Sequence, residues 1–189
     1  MGQSLQPSAP PRTHRFSGRL MFSYKLLFFL PLISTIFTYP FGVLLGDKTA
    51  QYFSSTLISI AAILSWFLFI SFSMSPSSEI IIPVLEWFFV SGQFFNWGIS
   101  VNSLTLLMLT LVLTVSALVH IYSIEYMAHD NSKVRFMTYL SLFTFCMVAL
   151  VVSDNLIQLF FGWEGVGLAS YLLIGFWHHK KSANLAAMK

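Results

Sequence analysis

From Tyr52 to Met74 the chain runs for 23 residues without a charged side chain, and four other stretches resemble it. At ~1.5 Å per helical residue such a run covers the ~30 Å hydrocarbon core of a bilayer. In hydrocarbon every backbone N–H and C=O must be paired within the protein, and a single run achieves this as a helix. Apolar runs at about 21–45, 52–74, 104–122, 136–153 and 156–177 therefore predict an all-α integral membrane protein with about five transmembrane helices. Charged residues make up 9% of the chain, against ~25% in soluble domains, which excludes a solvated globular surface. Membrane lipid is the first partner implied.

The first run contains Pro31 and Pro40, which membrane helices tolerate when neighbours satisfy the freed carbonyls. Gly46-Asp47-Lys48 ends it with polar turn chemistry. Serines in the second run are expected to bond back to their own helix or across to a neighbour. Residues 75–103 form the longest break. Short aromatic and β-branched runs around Ser91-Gly92-Gln93 suggest either a hairpin on the membrane surface or an irregular aromatic loop. Trp87 and Trp97 suit the interfacial belt. Only Asp154 and Asn155 separate the last two runs, which predicts a tight antiparallel pair with these two residues as a helix N-cap pair. A short helical piece is expected over 182–189.

Residues 1–20 differ from the rest. They hold three prolines, Arg12, Arg15 and Arg19, and no acid, which fits an organellar targeting segment or a basic disordered tail. The net charge of +3 does not signal nucleic acid, because the cations sit in loops and tails where they set topology. Lys48, Lys133, Arg135, Lys180, Lys181 and Lys189 share one side of a five-span arrangement, and this places the carboxyl end on the synthesis side. The single cysteine, Cys146, excludes an intrachain disulfide and a cysteine metal site. It reads as a buried small hydrophobe.

The chemistry concentrates in Leu156–Trp177. Glu164 stands ~12 Å along it, with Gly162, Gly165 and Gly167 beside it. A carboxylate at mid-membrane depth costs at least ~2.5–3.5 kcal/mol by insertion scales. Burial favours the protonated form and a nearby cation the ionised form, so a carboxylate balanced between them can take up and release protons. A protonated Glu bonding one helix to another is the bland reading. The glycines remove bulk beside the acid, letting another helix approach or water enter.

Three further candidates remain. His120 lies near the end of the third run, as a structural hydrogen-bonder or a proton relay. Asp154 is available at the mouth of a proton path. His178 and His179 are adjacent, so on a helix they point apart, and they read with Lys180 and Lys181 as interfacial anchors rather than metal ligands.

Ser116-Ala-Leu-Val-His-Ile-Tyr-Ser-Ile-Glu-Tyr-Met127, Arg135-Phe-Met-Thr-Tyr-Leu-Ser-Leu-Phe-Thr-Phe145 and the run from Asp154 through Gly-Trp-Glu-Gly-Val-Gly to Trp177 resemble the chain 5 family of mitochondrial NADH–ubiquinone oxidoreductase, respiratory complex I. The resemblance is nearly continuous from Trp97 to Lys189, weaker over 21–96 and absent over 1–20. It implies a proton-pumping subunit of the complex I membrane arm in the mitochondrial inner membrane, with other complex I subunits as partners and the carboxyl end in the matrix. It places Glu164 on the family's mid-membrane Glu, and His120, Asp154 and Lys189 on recurring positions of less defined role. It assigns NADH, FMN, iron–sulfur clusters and ubiquinone to other subunits and no cofactor to this chain. It also suggests a short hairpin on the intermembrane-space side.

Family members continue well past the position of Lys189, through a helix whose Lys partners the Glu. The expectation is a split subunit completed by a second polypeptide, with a truncated piece as the alternative. On this reading the 189 residues alone cannot pump. The competing functions are a fragment of an Mrp-like cation/proton antiporter, or a structural piece of the membrane arm without its own proton path.

Overall fold

A computed structural model describes residues 18–74, 79–90 and 93–189. Most of the basic amino-terminal segment falls outside that set. Among the described residues five helices are long and apolar enough to cross a membrane: α1 (Gly18–Leu45), α2 (Asp47–Met74), α3 (Ser103–Tyr126), α4 (Lys133–Val151) and α5 (Leu156–Ile174). A two-stranded antiparallel hairpin, β1 (Ile80–Val90) and β2 (Gln93–Val101), stands between α2 and α3, and a short α6 (Lys181–Ala187) follows α5. The five-span helical architecture is as predicted. Of the two readings of 75–103, the hairpin is the one adopted; residues 75–78 and 91–92 lie outside the described set.

The boundaries differ from the sequence expectation where polar residues extend helices beyond the apolar run. Asp47 and Lys48 are not a turn but the first residues of α2. The turn is Gly46 alone, at φ +94°, a left-handed conformation that costs glycine little. Asp47 then sits in the first turn of α2, where a carboxylate suits the positive end of the helix. α3 runs to Tyr126, past the predicted 122, and α4 starts at Lys133, so the predicted loop 123–135 shrinks to six residues. α5 ends at Ile174 rather than 177, with Gly175 as its C-cap.

In lipid the hydrophobic effect does not hold helices together; close packing and polar contacts do. The sequence supplies both through small residues at helical spacing. The buried side of α2 reads Ala50, Ser54, Ile58, Ala61, Ser65, Leu68 and Phe72, a 3–4 spacing that keeps one stripe facing its neighbours. α1 packs on α2 and α4, α2 also on α3, and the core gathers Leu27, Ile58, Leu68, Leu109, Leu113 and Val148. α5 is peripheral: its helix partners are α4 and α6, it touches β2 near its start, and only Gln158, Gly162 and Ala169 are buried.

The two ends of the bundle are fastened separately. Lys133 Nζ lies 3.6 Å from Asp47 Oδ2, and Trp177 Nε1 donates to Asp130 Oδ2 at 3.0 Å. These contacts join the α1–α2 turn, the α3–α4 connection and the segment after α5, the places that carry Lys48, Lys133, Arg135, Lys180 and Lys181. At the other end β2 is bonded to the α4–α5 connection: Ser100 N donates to Val152 O at 2.8 Å, and Asn155 Nδ2 to Asn96 O at 2.9 Å. Trp97 adds an edge-to-face contact with Phe161 at 5.0 Å.

Candidate functional site

Asn155 caps α5: its Oδ1 accepts from Gln158 N at 2.9 Å. The predicted cap pair is therefore half right. Asp154 stands outside the cap, accepting from Asn155 Nδ2 at 2.6 Å. Its carboxylate lies where a side chain on Gly98 would have to go, so any larger residue there displaces Asp154. Asp154 is half-buried under β2, at the end of the bundle opposite the basic loops.

Once capped, α5 is held against α4 by its glycines. A Cβ on Gly162 would sit 2.7 Å from Leu150 N, and one on Gly165 2.7 Å from Cys146 Sγ. These two glycines serve backbone approach between helices. Gly167 is different, with open space where a Cβ would stand. Cys146 is buried in this seam, as expected for a small hydrophobe.

Pinning the Gly162–Gly165–Ala169 side to α4 turns Glu164 outward. It is the ninth residue of nineteen in α5, in the middle of a candidate span. Its side chain is exposed, flanked by the exposed Trp163 and Leu168, and among the described residues nothing hydrogen-bonds or ion-pairs with it.

His120 is placed oppositely, fully buried between α1, α2, α3 and α4. Its Nδ1 lies 2.8 Å from the carbonyl oxygen of Ser116, which can only accept, so Nδ1 carries a proton. Its Nε2 faces Ser141 Oγ at 3.2 Å. Ser141 belongs to a triangle of hydroxyls, with Ser34 at 2.9 Å and Ser54 at 2.8 Å, and Ser34 to Ser54 at 3.1 Å. On the other side of the ring Ser116 Oγ is 2.5 Å from Thr144 Oγ1, which donates to Leu140 O at 2.9 Å. Ser116 and Thr144 both line an apolar groove of about 470 Å³ between α3, α4 and α5.

The sequence analysis singled out Glu164, His120, Asp154 and Lys189, and the fold does not bring them together. Lys189 is exposed at the end of the chain, after α6. His178 and His179 pack ring to ring, Lys180 Nζ lies 4.9 Å over the Trp177 ring, and among the described residues no set of three metal-ligating side chains converges. The residues overlooked were Ser34, Ser54, Ser141, Ser116 and Thr144. Their signal was faint: uncharged hydroxyls at helical spacing, in Ser116/His120 and Ser141/Thr144, on the sides that carry small residues.

Comparison with known proteins covers most of the chain. Residues 87–137 match the family described as NADH-Ubiquinone oxidoreductase (complex I), chain 5 N-terminus, and residues 153–189 that described as NADH:quinone oxidoreductase/Mrp antiporter, TM. The chain is 46% identical over 164 residues to NADH-quinone oxidoreductase subunit L of Rickettsia conorii, covering 87% of this chain and 25% of that protein. It is 49% identical over 153 residues to subunit L of Rhodobacter capsulatus, covering 77% and 21%. NADH-ubiquinone oxidoreductase chain 5 of Arabidopsis thaliana is 44% identical over 168 residues, covering 88% and 25%. The chain thus spans about a quarter of the length of these relatives.

Proposed function

Because the chain belongs to the complex I chain 5/subunit L family, we propose that it works in the membrane arm of respiratory complex I. There it helps couple NADH:ubiquinone electron transfer to proton translocation across the mitochondrial inner membrane. Its Lys- and Arg-bearing end, with Lys180 and Lys181, faces the matrix, as the positive-inside rule favours. NADH, flavin, iron–sulfur and quinone chemistry belong, on this reading, to other subunits.

One observation carries it: Glu164 projects from the middle of a candidate span, away from the helices of its own chain, with no partner among the described residues. A carboxylate left there against lipid costs at least ~2.5–3.5 kcal/mol. The group that answers it comes from outside these five helices, from a neighbouring subunit or from the further helices of the family. A cation supplied from that side favours the ionised carboxylate, and its withdrawal favours the protonated one. Moving the partner moves the proton.

The test is Glu164→Gln in the assembled complex. Assembly on a native gel stays intact, while protons moved per NADH oxidised fall in proteoliposomes. An unchanged ratio makes Glu164 a structural residue. The match over 153–189 names Mrp antiporters as well, which supports a second reading, cation/proton exchange without redox chemistry. Co-purification of the chain with NADH:quinone reductase activity decides for the first, and its absence for the second.

A further inference from the structure

We propose that the cavity between the start of α4 and the end of α5 holds the phosphate of an anionic phospholipid, with Arg135 as the group that binds it. The proposal uses the membrane setting of the chain and none of the residues assigned to proton translocation.

It starts from a cation with no carboxylate beside it. Arginine is a permanent cation with five N–H donors in one plane. Arg135 is the third residue of α4, and the buried Phe176 covers one face of its guanidinium, with Cζ 4.9 Å from the ring centroid. A ring in that place attracts the cation but leaves the donors at its edge unused. Nε is buried, and among the described residues it has no hydrogen-bond partner. Nor does any carboxylate among them stand at ion-pair distance from Arg135. Asp130, the nearest acid in sequence, accepts instead from Ser132 N at 2.7 Å and Trp177 Nε1 at 3.0 Å. A buried charged N–H is costly to leave unpaired, which points to an anion from outside these helices.

The cavity beside Arg135 is built for such an anion. It measures about 440 Å³, and its polar wall is Arg135, Tyr139, Tyr171, His178 and Asn184, with no acid. Tyr139 stands about one turn after Arg135 on α4, and Tyr171 about one turn before Gly175 on α5. Their hydroxyls are donors for phosphate oxygens that the guanidinium does not reach. The Asn184 amide is committed, donating to His178 O at 2.7 Å. Arg135 also borders a second cavity, against α1, but Asp47 lines that one and repels an anion. The positive end of α4 adds to the field on the favoured side, because its N-cap, Ser132, makes no side-chain cap bond. At the facing end of α5 the carbonyls of Tyr171 and Leu173 are taken by Gly175 N and Phe176 N.

Position selects a lipid over a dissolved anion. Arg135 and Gly175 stand where two candidate spans begin and end, at headgroup depth. Leu172, Phe176 and Met188 add an apolar wall to the polar one. That wall suits the glycerol and first methylenes of a lipid and offers nothing to a hydrated ion. Lys180 and Lys181 follow, both exposed, and strengthen the attraction for a negative headgroup. The guanidinium fork matches two phosphate oxygens at once, which an ammonium does not.

The test uses the native assembly, purified in detergent through a tag on this chain. It is mixed with phosphatidylglycerol carrying a diazirine near the glycerol, irradiated, and digested for mass spectrometry. Label is expected on residues 135–139 and 171–188. Unlabelled phosphatidylglycerol should compete it away, while inorganic phosphate and phosphatidylcholine at the same concentration should not. Arg135→Ala is expected to lower this labelling roughly fivefold or more, and Arg135→Lys to lower it less, with labelling elsewhere on the assembly unchanged. Equal competition by inorganic phosphate makes the cavity a site for a dissolved anion and overturns the lipid. Equal competition by phosphatidylcholine overturns the selection for negative charge. No label on these residues in the wild type, or label that Arg135→Ala leaves unchanged, overturns the site and gives Arg135 to a carboxylate of another segment or subunit. The competition arms use the wild-type chain, so they decide even where Arg135→Ala does not assemble.

Discussion

The side-chain amide of Gln158 closes two hydrogen bonds on the backbone of Gly98, accepting from its N–H at 3.1 Å and donating to its carbonyl at 2.9 Å. One helical side chain thus takes the place of a neighbouring strand for β2. Both residues are buried, so neither peptide group has water as a substitute.

Replacing Gln158 by leucine leaves both Gly98 groups unpaired, at a cost of roughly 1–3 kcal/mol for each buried group. Amide hydrogen exchange over residues 97–101 is expected to quicken by at least tenfold. Gln158→Glu retains the acceptor and loses the donor, so it should fall between. Unchanged exchange in Gln158→Leu means the strand is held by β1, Ser100 and Asn155 without it.

Gly162→Ala should separate α4 from α5, because the added carbon meets backbone at Leu150 rather than a side chain that can swing away. Overpacking of that kind costs about 1–3 kcal/mol. Gly167→Ala, in open space, is expected to be neutral. Thermal stability of the two variants in detergent discriminates them, and equal melting temperatures would contradict the packing role.

Gly46→Ala places a Cβ in a left-handed conformation, costing about 1–2 kcal/mol. No neighbouring atom is in the way, so the penalty is purely backbone. Lys133→Ala, which removes the ion pair to the half-exposed Asp47, should cost less, within about 1 kcal/mol. The ranking is read from denaturation midpoints, and a larger loss for Lys133→Ala overturns it.

Asp130 is the group through which acid should act on the loop end. The backbone N–H of Ser132 and then the indole N–H of Trp177 hold its carboxyl below the usual range. A lowered folded value means the contribution is fully present above the unfolded value near ~3.9 and is lost as pH falls through the folded value. Trp177 fluorescence should report release of the loop below about pH 4, and Asp130→Asn should flatten that response.

Much of the fold was legible because lipid allows a long apolar run only one structure. The hairpin between α2 and α3 was one of two readings that its short aromatic and β-branched runs allowed. Boundaries were harder. The Asp47 carboxylate reads as loop until its place at the start of α2 is known, and Lys133 reads so until it is seen opposite Asp47. The glycines around Glu164 carried two meanings in the sequence, and the fold separated them: two face α4 and one faces open space.

By itself, the sequence determined five spans, the basic end and the outlying carboxylate at Glu164, because a charge in hydrocarbon is conspicuous wherever it falls. Which way Glu164 points was decided by tertiary packing, through the approach of Gly162 and Gly165 to α4. The chemistry around His120 was decided there as well. Ser34 and Ser141 are 107 residues apart, and a serine in an apolar helix reads the same whether it bonds to its own backbone or completes a polar cluster with three other helices.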